Sequence, residues 1–286
     1  MIFNYKEFLQ KYTPYLQNLY SKRDATEIVN HLIFFYLSDK EDGELKLLPK
    51  NVKKNNLNKF LKALRNIREG LPIQYVVKTV KFYGRDFYIE KGVFIPRLDT
   101  EFLVDLVLGK VRDRRERLNF LDIGVGSGAP TITILLEKPN TYATGIDISK
   151  KALKISFING YKYNVLNRLE IIYSDVFEQL GERYYNKFDF IISNPPYVPC
   201  SKYRTLHESI FYEPKEAIVG GKDGNKIIEK ILAGYKQYLK EKGFLAFEFP
   251  PYNLEEIRKI FREKKIVNFK FYNENNTGFA IIENGG

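Results

Sequence analysis

Cysteine, histidine and tryptophan are scarce or missing in this chain of 286 residues. It holds one cysteine, two histidines and no tryptophan. A single thiol, Cys200, excludes an intrachain disulfide framework and a zinc cluster built on cysteines. With only His31 and His207 available, a histidine-rich metal site is not expected either. We therefore predict no metal site and a reducing, cytoplasmic setting.

Long apolar runs are missing as well. No stretch reaches the roughly 20 uninterrupted apolar residues that a membrane-spanning helix needs. The first residues carry charges at Lys6, Glu7 and Lys11 without an apolar core and cleavage site, so no signal peptide is expected. The net charge of +11 favours an acidic partner, such as RNA or an acidic protein. Scattered lysines on a solvated surface explain the charge equally well, so it supports no function by itself.

Residues 1–75 have the pattern of a small helical bundle. Pro14 divides the first segment into two short helices. Asp24 and Glu27 have capping-box spacing and open a second helix, and Gly70 with Pro72 ends a third. Two apolar stripes at helical spacing predict the buried faces: Ile28, Leu32, Phe35 and Tyr36, then Leu57, Phe60, Leu61, Leu64 and Ile67.

From about Gln74 the apolar period changes. Alternation around Gly84 predicts a linking β-hairpin within 76–92, and a helix follows from near Asp99. Residues 93–286 then alternate between strands and helices, which predicts an α/β domain with a seven-stranded, mostly parallel sheet ending in an antiparallel pair. The predicted strands are Asn119–Ile123, Ala143–Ile148, Leu169–Tyr173, Phe188–Ile192, Gly243–Phe249, Asn268–Tyr272 and Gly278–Ile282.

A glycine-rich segment follows the first of these strands. Asp122 precedes glycines at 124, 126 and 128, and glycine lets the backbone turn tightly and approach a ligand. Dinucleotide sites have the spacing G-x-G-x-x-G, so this G-x-G-x-G segment points away from a pyrophosphate. An acidic neighbour suits the amino group of a cofactor that carries an amino acid. A tight strand–helix turn without a ligand is the alternative.

The next three strands also end in polar residues. Asp147 can accept hydrogen bonds from both ribose hydroxyls, or can cap the helix that follows. Asp175 can accept from an adenine amino group, although aspartates are common in loops. The fourth strand ends in Ser193, Asn194, Pro195, Pro196 and Tyr197. Because the carboxyl ends of parallel strands meet at one edge of a sheet, the four endings together predict a ligand site.

With these segments the chain resembles the class I S-adenosylmethionine-dependent methyltransferases, and more narrowly the HemK/PrmC family. The narrower resemblance rests on "PIQY" at residues 72–75, on "PRLDTE" at residues 96–101, and on the block "EPKEAIVGGKDG" at residues 213–224. Four departures from the family pattern stand out: Lys78 where the family has glycine, Leu98 in place of a proline, "EFPPYN" at residues 248–253, and "NENNTGFAII" at residues 273–282 in place of a charged, arginine-containing end.

The resemblance implies a Rossmann-like fold and methylation of the glutamine in the Gly-Gly-Gln loop of peptide chain release factors. It implies S-adenosylmethionine as cofactor and S-adenosylhomocysteine as product. Residues 1–75 would recognise the substrate and residues 93–286 would be catalytic. We expect a monomer with a release factor as partner, and neither a membrane nor a stable nucleic-acid partner. The implied cofactor-binding residues are Asp122, Gly124, Val125, Gly126, Ser127, Gly128, Asp147, Ile148, Asp175, Val176 and Asn194. The implied substrate-binding residues are Arg97, Thr100, Asn194, Pro195, Pro196 and Tyr197, of which the last four are catalytic.

The chemistry of an amide explains the choice of catalytic residues. An amide nitrogen is a poor nucleophile, and the Asn194 side-chain oxygen with the Pro195 carbonyl can accept its two hydrogens. Pro196 restricts the loop, and Tyr197 can pack on the planar amide. Arg97 has a salt bridge as its alternative role. The same tetrad also serves N-methylation of adenine in DNA or guanine in ribosomal RNA. A non-catalytic, ribosome-associated module that binds the cofactor is the remaining alternative.

Overall fold

The computed structural model describes residues 5–41, 44–46 and 52–285, without the side chains of 39–41 and 44–46. The chain divides into two compact units. Unit one comprises Met1–Thr79 and Glu208–Tyr212, and unit two comprises Val80–His207 and Glu213–Gly286. The division into 1–75, 76–92 and 93–286 with the roles given above stays a prediction.

Unit one is built from helices around a core of its own. A 3-10 turn at Thr13–Leu16 follows the first helix and contains Pro14. The short segment Glu208–Tyr212 belongs here because the Tyr212 hydroxyl donates to the Glu69 carbonyl. The elements are α1 (Tyr5–Tyr12), α2 (Lys22–Leu37), the antiparallel strands β1 (Asp39–Glu41) and β2 (Glu44–Lys46), α3 (Lys54–Arg68) and α4 (Ile73–Val77). Its buried side chains include Phe8, Leu16, Val29, Leu32, Phe60, Leu64 and Ile67.

Two details of the helix α2 prediction are wrong. The N-cap is Ser21, whose hydroxyl accepts from the Asp24 N–H at 3.1 Å, so Asp24 lies in the first turn. The buried face is also rotated from the predicted one, because Val29 and Ile33 fill the core and Phe35 is 47% exposed. In α3, Leu61 is likewise exposed, by 38%. The second half of α2 is apolar on most of its sides, so the sequence alone does not define which stripe is buried, and tertiary packing determines it.

The predicted β-hairpin is present as β3 (Thr79–Phe82) and β4 (Arg85–Tyr88). Tyr83 and Gly84 form its two-residue turn, with φ angles of 51° and 71°. Positive φ at both central positions is the signature of a type I′ turn, whose twist matches that of the two strands.

Unit two contains the seven-stranded sheet, which confirms the predicted fold class. All seven predicted strands are present, each within four residues of its predicted bounds. They are β5 (Leu118–Ile123), β6 (Thr141–Asp147), β7 (Leu169–Tyr173), β8 (Phe188–Ser193), β9 (Leu239–Phe249), β10 (Phe269–Glu274) and β11 (Thr277–Glu283). The main helices are α5 (Asp99–Lys110), α6 (Ala129–Glu137), α7 (Lys150–Lys162), α8 (Cys200–Tyr203), α9 (Lys226–Tyr238) and α10 (Leu254–Glu263).

The strand order β10-β11-β9-β8-β5-β6-β7 places the first strand of the sheet near its centre. Strand β5 pairs in parallel with both β6 and β8, whereas β11 is antiparallel to β9 and β10. The order therefore reverses between β5 and β8, which is a topological switch point, and ligands bind outside the carboxyl ends of the strands at such a point. In the part of the chain described, no helix has the length and apolarity to cross a membrane.

Candidate functional site

A cavity of about 410 Å³ opens at the carboxyl edge of the sheet, beside the switch point. This volume lies in the range of small-molecule sites. The cavity is lined by most of the residues that the sequence suggested: Thr100, Asp122, Gly124, Val125, Gly126, Ser127, Asp147, Ile148, Asp175, Val176, Asn194, Pro195 and Pro196. Gly128, Arg97 and Tyr197 are not among the residues that line it.

The glycines of the loop after β5 share an unusual backbone conformation but differ in their surroundings. Gly124, Gly126 and Gly128 all have positive φ, at 82°, 56° and 81°, which other residues rarely adopt. A Cβ on Gly124 would meet no atom within 4 Å, so this glycine borders open space beside the cavity. A Cβ on Gly128 would lie 2.7 Å from Ser156 Oγ, so this glycine lets α6 and α7 approach each other.

Two carboxyl groups stand under this loop. Asp122 is buried and accepts a hydrogen bond from the Thr131 hydroxyl of α6. Burial raises the pKa of Asp122 to about 7; the Thr131 hydrogen bond opposes that rise, and the nearby Asp147 adds to it. Burial also raises the pKa of Asp147. The floor of the cavity thus favours a cationic group, because a positive charge here restores the ionised form of both carboxyls.

Asp147 is held by the backbone on both oxygens. Its Oδ2 accepts from the Gly126 N–H at 2.9 Å, and its Oδ1 accepts from the Ser149 N–H at 2.8 Å. The cap of α7 is Ser149, whose hydroxyl accepts from the Ala152 N–H at 3.2 Å. The capping alternative for Asp147 is therefore wrong. Since a carboxylate accepts about four hydrogen bonds, and the Ile148 backbone also interacts with Asp147, at least one position remains for a ligand.

The third strand ends in a constrained loop. Asp175 Oδ2 accepts from Lys230 Nζ at 2.9 Å, and Lys230, which the sequence did not single out, also lines the cavity. Val176 has a φ of 52°, which is an outlier for a β-branched residue. Its carbonyl accepts from the Ser174 hydroxyl at 2.7 Å. Strained backbone of this kind clusters at ligand sites, where the surroundings hold it in place.

The Asn-Pro-Pro-Tyr segment is tied to a buried glutamate, Glu248, near the end of β9. Asn194 Nδ2 donates to Thr100 Oγ1 at 2.9 Å, and Thr100 Oγ1 donates to Glu248 Oε2 at 2.8 Å. The Tyr197 hydroxyl donates to Glu248 Oε1 at 3.1 Å. Burial raises the pKa of Glu248 to about 7, although both hydrogen bonds lower it. The sequence did not single out Glu248, because it lies in the apolar run of β9 and not in one of the segments that follow β5, β6, β7 and β8.

The glycine block, residues 213–224, holds the same segment from its other side. Val198 N–H donates to the Ile218 carbonyl at 2.9 Å, and Gly220 N–H donates to the Val198 carbonyl at 3.0 Å. A Cβ on Gly220 would lie 2.3 Å from the Pro196 carbonyl oxygen. Glycine here permits direct contact between two backbones, so the block supports the Asn-Pro-Pro-Tyr segment.

Arg97 has the salt-bridge role that the sequence left open. Its guanidinium pairs with Glu213, which is buried and also accepts from the Ile95 N–H at 2.9 Å. This pair ties the segment before α5 to the start of the glycine block. A part for Arg97 in substrate binding stays a prediction.

Asn159 of α7 is a buried positioning residue that the sequence analysis overlooked. Its Nδ2 donates to the Ser127 carbonyl at 2.8 Å and to the Tyr88 carbonyl at 2.9 Å. Its Oδ1 accepts from the Tyr88 N–H at 2.8 Å. One side chain thus joins the glycine loop to strand β4.

The comparison with known proteins decides the family. The methyltransferase small domain family matches residues 86–221. The release factor glutamine methyltransferase of Aquifex aeolicus is 30% identical over 254 residues, which cover 88% of this chain and 87% of that protein. The corresponding enzyme of Clostridium acetobutylicum is 32% identical, covering 77% and 76%. This chain belongs to the release factor glutamine methyltransferase family.

Other relatives are longer than this chain. The bifunctional methyltransferase of Rickettsia prowazekii is 38% identical over 220 residues, which cover 71% of this chain and 42% of that protein. The chain thus spans about two fifths of the length of the first curated relatives that it matches.

Solved structures agree on the fold. The 16S rRNA N2 G1207 methyltransferase of T. thermophilus, solved with AdoMet and guanosine, matches with a TM-score of 0.52 at 16% identity, covering 72% of this chain and 49% of that one. The catalytic domain of hMettl16 matches with a TM-score of 0.57 at 12% identity, covering 94% and 91%.

The structure shows the surroundings of three departures from the family pattern. Lys78 has a φ of 56°, so the family's glycine suits this left-handed position better than lysine does. Leu98 has a φ of −60°, the value that proline fixes, so its backbone conformation is compatible with either residue. In "EFPPYN", Glu248 keeps the first position of the family's Glu-Ile-Gly-x-x-Gln segment. Asn253 stands in the last and donates to Asn225 Oδ1 at 3.2 Å.

Proposed function

We propose that this protein transfers a methyl group from S-adenosylmethionine to the side-chain amide nitrogen of the glutamine in the Gly-Gly-Gln loop of class I release factors. One observation carries the proposal: Asn194, in a chain of this family, lines the cavity beside the carboxylates of the cofactor region. S-adenosylhomocysteine would be the product. Transfer to DNA adenine or ribosomal RNA guanine gains no support from the family relationship.

The residues of the cavity fit the cofactor. S-adenosylmethionine, when bound, supplies a methyl group attached to a cationic sulfonium. Asp122 would face its amino group, Asp147 the ribose hydroxyls, and the Asp175–Val176 segment the adenine. The open space beside Gly124, the buried carboxyl of Asp122 and the half-buried carboxyl of Asp147 suit an elongated ligand with a positive charge. Asp175 would share its carboxylate between Lys230 and the adenine amino group.

Asn194 and Pro195 would hold the substrate amide. Among the described residues, no hydrogen bond ends on Asn194 Oδ1 or on the Pro195 carbonyl oxygen, so both acceptors remain for the two amide hydrogens. Pro195 and Pro196 restrict the loop, which keeps the acceptors fixed before the substrate arrives. As the nitrogen gains the methyl group it becomes positively charged and acidic, so both acceptors bind it more strongly and its proton can leave afterwards.

The proposed partner and cellular location follow from the family relationship. Release factors would be the protein substrate, recognised by the helical bundle of residues 1–75. Unit one carries exposed aromatic side chains that suit a protein partner, among them Phe34 at 52% and Phe35 at 47% exposure. A monomer that acts in the cytoplasm is the state we propose.

Labelled cofactor tests the proposal. The full chain is incubated with S-adenosylmethionine carrying a labelled methyl group and, separately, with a release factor, duplex DNA and ribosomal RNA. We expect label only in the release factor, and none when its Gly-Gly-Gln glutamine is replaced. Label in nucleic acid alone, or in no acceptor, would overturn the proposal.

Two variants separate chemistry from cofactor binding. Asn194→Ala should reduce turnover by at least about 100-fold, as is typical for loss of one positioned hydrogen-bond partner, with cofactor affinity close to normal. Asp147→Ala should weaken cofactor affinity instead. Near-normal turnover in the first variant contradicts the role of Asn194, and unchanged affinity in the second contradicts the role of Asp147.

A further inference from the structure

A chain of hydrogen bonds runs from β9 to the catalytic asparagine. It joins Glu248 Oε2 to Thr100 Oγ1 at 2.8 Å and Thr100 Oγ1 to Asn194 Nδ2 at 2.9 Å. Glu248 and Thr100 are only 1% and 2% exposed, so water does not compete for these bonds. We infer that Glu248, acting through Thr100, determines which end of the Asn194 amide faces the cavity. The inference rests on the proposed function.

The hydrogens available on Glu248, Thr100 and Asn194 determine how the Asn194 amide is turned. An ionised carboxylate has no hydrogen to donate, so it must accept from its neighbours. A threonine hydroxyl has one hydrogen, and Thr100 donates it to Glu248. Thr100 can then only accept from Asn194, which must turn its NH₂ group toward Thr100. The side-chain oxygen of Asn194 is left for the substrate, which is the atom that methyl transfer requires.

When Glu248 is protonated, the hydrogen bonds between Glu248, Thr100 and Asn194 can run in the opposite direction. The protonated carboxyl can donate to Thr100, and Thr100 can donate its own hydrogen to Asn194 Oδ1. The amide is then free to rotate by a half turn, which directs its NH₂ group at the NH₂ group of the substrate. Two donors facing each other cannot form a hydrogen bond, so this state of Glu248 would not hold the glutamine.

The groups around Glu248 place this change near neutral pH. Burial raises the pKa of Glu248 to about 7, and the negative charge of Asp99 at the start of α5 adds to the rise. The hydrogen bonds from Thr100 and from the Tyr197 hydroxyl lower it, as does the charge of Arg97 before α5. Arg97 is itself paired with Glu213. Methyl transfer should therefore fall as the pH is lowered through about 7.

The test compares two buried threonines. Thr100→Val breaks the chain of hydrogen bonds, whereas Thr133→Val in α6 removes a buried hydroxyl that has no hydrogen-bond partner. With a release factor as acceptor, Thr100→Val should lower kcat at least about tenfold, equal to 1.36 kcal/mol in the barrier. Its cofactor affinity should stay normal, and Thr100→Ser should restore kcat. Equal kcat in Thr100→Val and Thr133→Val would overturn the inference.

Glu248→Gln provides a second, independent test. A glutamine side chain can donate or accept at any pH, so it cannot fix the direction of the hydrogen bonds that run through Thr100 to Asn194. We expect a low kcat with no transition near pH 7, against a wild type whose kcat rises through that pH. A wild-type transition that persists unchanged in Glu248→Gln would overturn the inference.

A spectroscopic measurement keeps this test apart from the proposed function. The ¹⁵N side-chain NH₂ signal of Asn194, assigned by its loss in Asn194→Asp, should shift with a midpoint near pH 7 in the wild type and not in Glu248→Gln. If the wild type methylates no release factor but the shift is seen, the proposed function fails and the positioning role of Glu248 stands. If methylation occurs and the shift is absent, the positioning role fails alone.

Discussion

A Cβ atom on Gly224 would lie 2.2 Å from the carbonyl oxygen of Tyr197. Gly220 stands in the same relation to Pro196, at 2.3 Å. The two glycines therefore mark where the backbone of the glycine block touches the backbone of the Asn-Pro-Pro-Tyr segment. A block that the sequence connects with function only by resemblance thus has a physical task, which is to support the loop that holds Asn194.

Replacing Gly224 tests this contact. Gly224→Ala places a methyl group against the Tyr197 carbonyl at a φ of 90°, so the two backbones must separate. We expect a loss of about 2 kcal/mol in the free energy of unfolding, as overpacking typically causes. Turnover should fall further than cofactor affinity. Urea unfolding, initial rates and cofactor titration measure the three quantities.

Gly181→Ala is the matched control. Gly181 has a negative φ of −77°, and a Cβ there would meet no atom within 4 Å. This variant should keep normal stability and turnover. If Gly224→Ala behaves like Gly181→Ala, the glycine block does not support the tetrad.

The buried carboxyl of Asp122 predicts a pH dependence of stability. Its pKa is raised from 3.8 to about 7, so between these values the unfolded chain loses a proton that the folded chain keeps. The free energy of unfolding should therefore fall as the pH rises from about 4 to 7, by up to a few kcal/mol. Asp122→Asn, which cannot ionise, should show a smaller fall in cofactor-free protein. Urea unfolding at several pH values measures it.

Glu283→Gln is a control, because the pKa of Glu283 is shifted in the opposite direction to that of Asp122 and its effect on stability therefore has the opposite dependence on pH. The Lys110 ammonium lowers the pKa of Glu283, so that pair stabilises the fold at neutral pH and is lost as the pH falls. Glu248 shares the sign of Asp122, so part of the wild-type slope should remain in Asp122→Asn. A slope in Asp122→Asn equal to that of the wild type would contradict the raised pKa.

Asn159 links two parts of the site in one side chain. Asn159→Ala removes three hydrogen bonds, those to the Tyr88 N–H, the Tyr88 carbonyl and the Ser127 carbonyl. A hydrogen bond typically contributes about 0.5–1.5 kcal/mol, so the free energy of unfolding should drop by roughly 2–4 kcal/mol. Cofactor affinity should weaken too, because Ser127 belongs to the glycine loop. Thermal unfolding with and without cofactor measures both effects.

Asn167→Ala is the control for Asn159, because Asn167 is exposed and lies just after the same helix. It should unfold at the wild-type temperature. Similar melting temperatures for the two variants would show that the three hydrogen bonds of Asn159 do not stabilise the site.

The sequence was sufficient for the sheet because its strands are short apolar runs separated by helices, and a parallel sheet buried on both faces requires that pattern. The sequence also predicted that Asp122, Asp147 and Asn194 lie together at one edge of the sheet, since each stands at the carboxyl end of such a run, and all three line the cavity there. For these residues the end of a strand, which is visible in the sequence, also fixes their place at the sheet edge, so the prediction required no tertiary contact.

Glu248 and Asn159 could not be found in the same way. Glu248 lies within an apolar run of β9, and only the pairing of strands brings it beneath Thr100 from α5, 148 residues earlier. Asn159 lies on an otherwise ordinary amphipathic helix and bonds to residues 32 and 71 positions away. A polar residue in a buried stretch is the one signal that points to such partners.

Lys78 offers a last test at a position where the sequence departs from its family. Its φ of 56° is the left-handed conformation that costs a non-glycine residue about 1–2 kcal/mol. Lys78→Gly removes this cost but makes the unfolded chain more flexible, so the net gain should be roughly 0.5–1 kcal/mol. Lys81→Gly, at an exposed position in strand β3, should instead destabilise the protein. Melting temperatures should thus move in opposite directions, and a loss of stability in both variants would contradict the predicted net gain from Lys78→Gly.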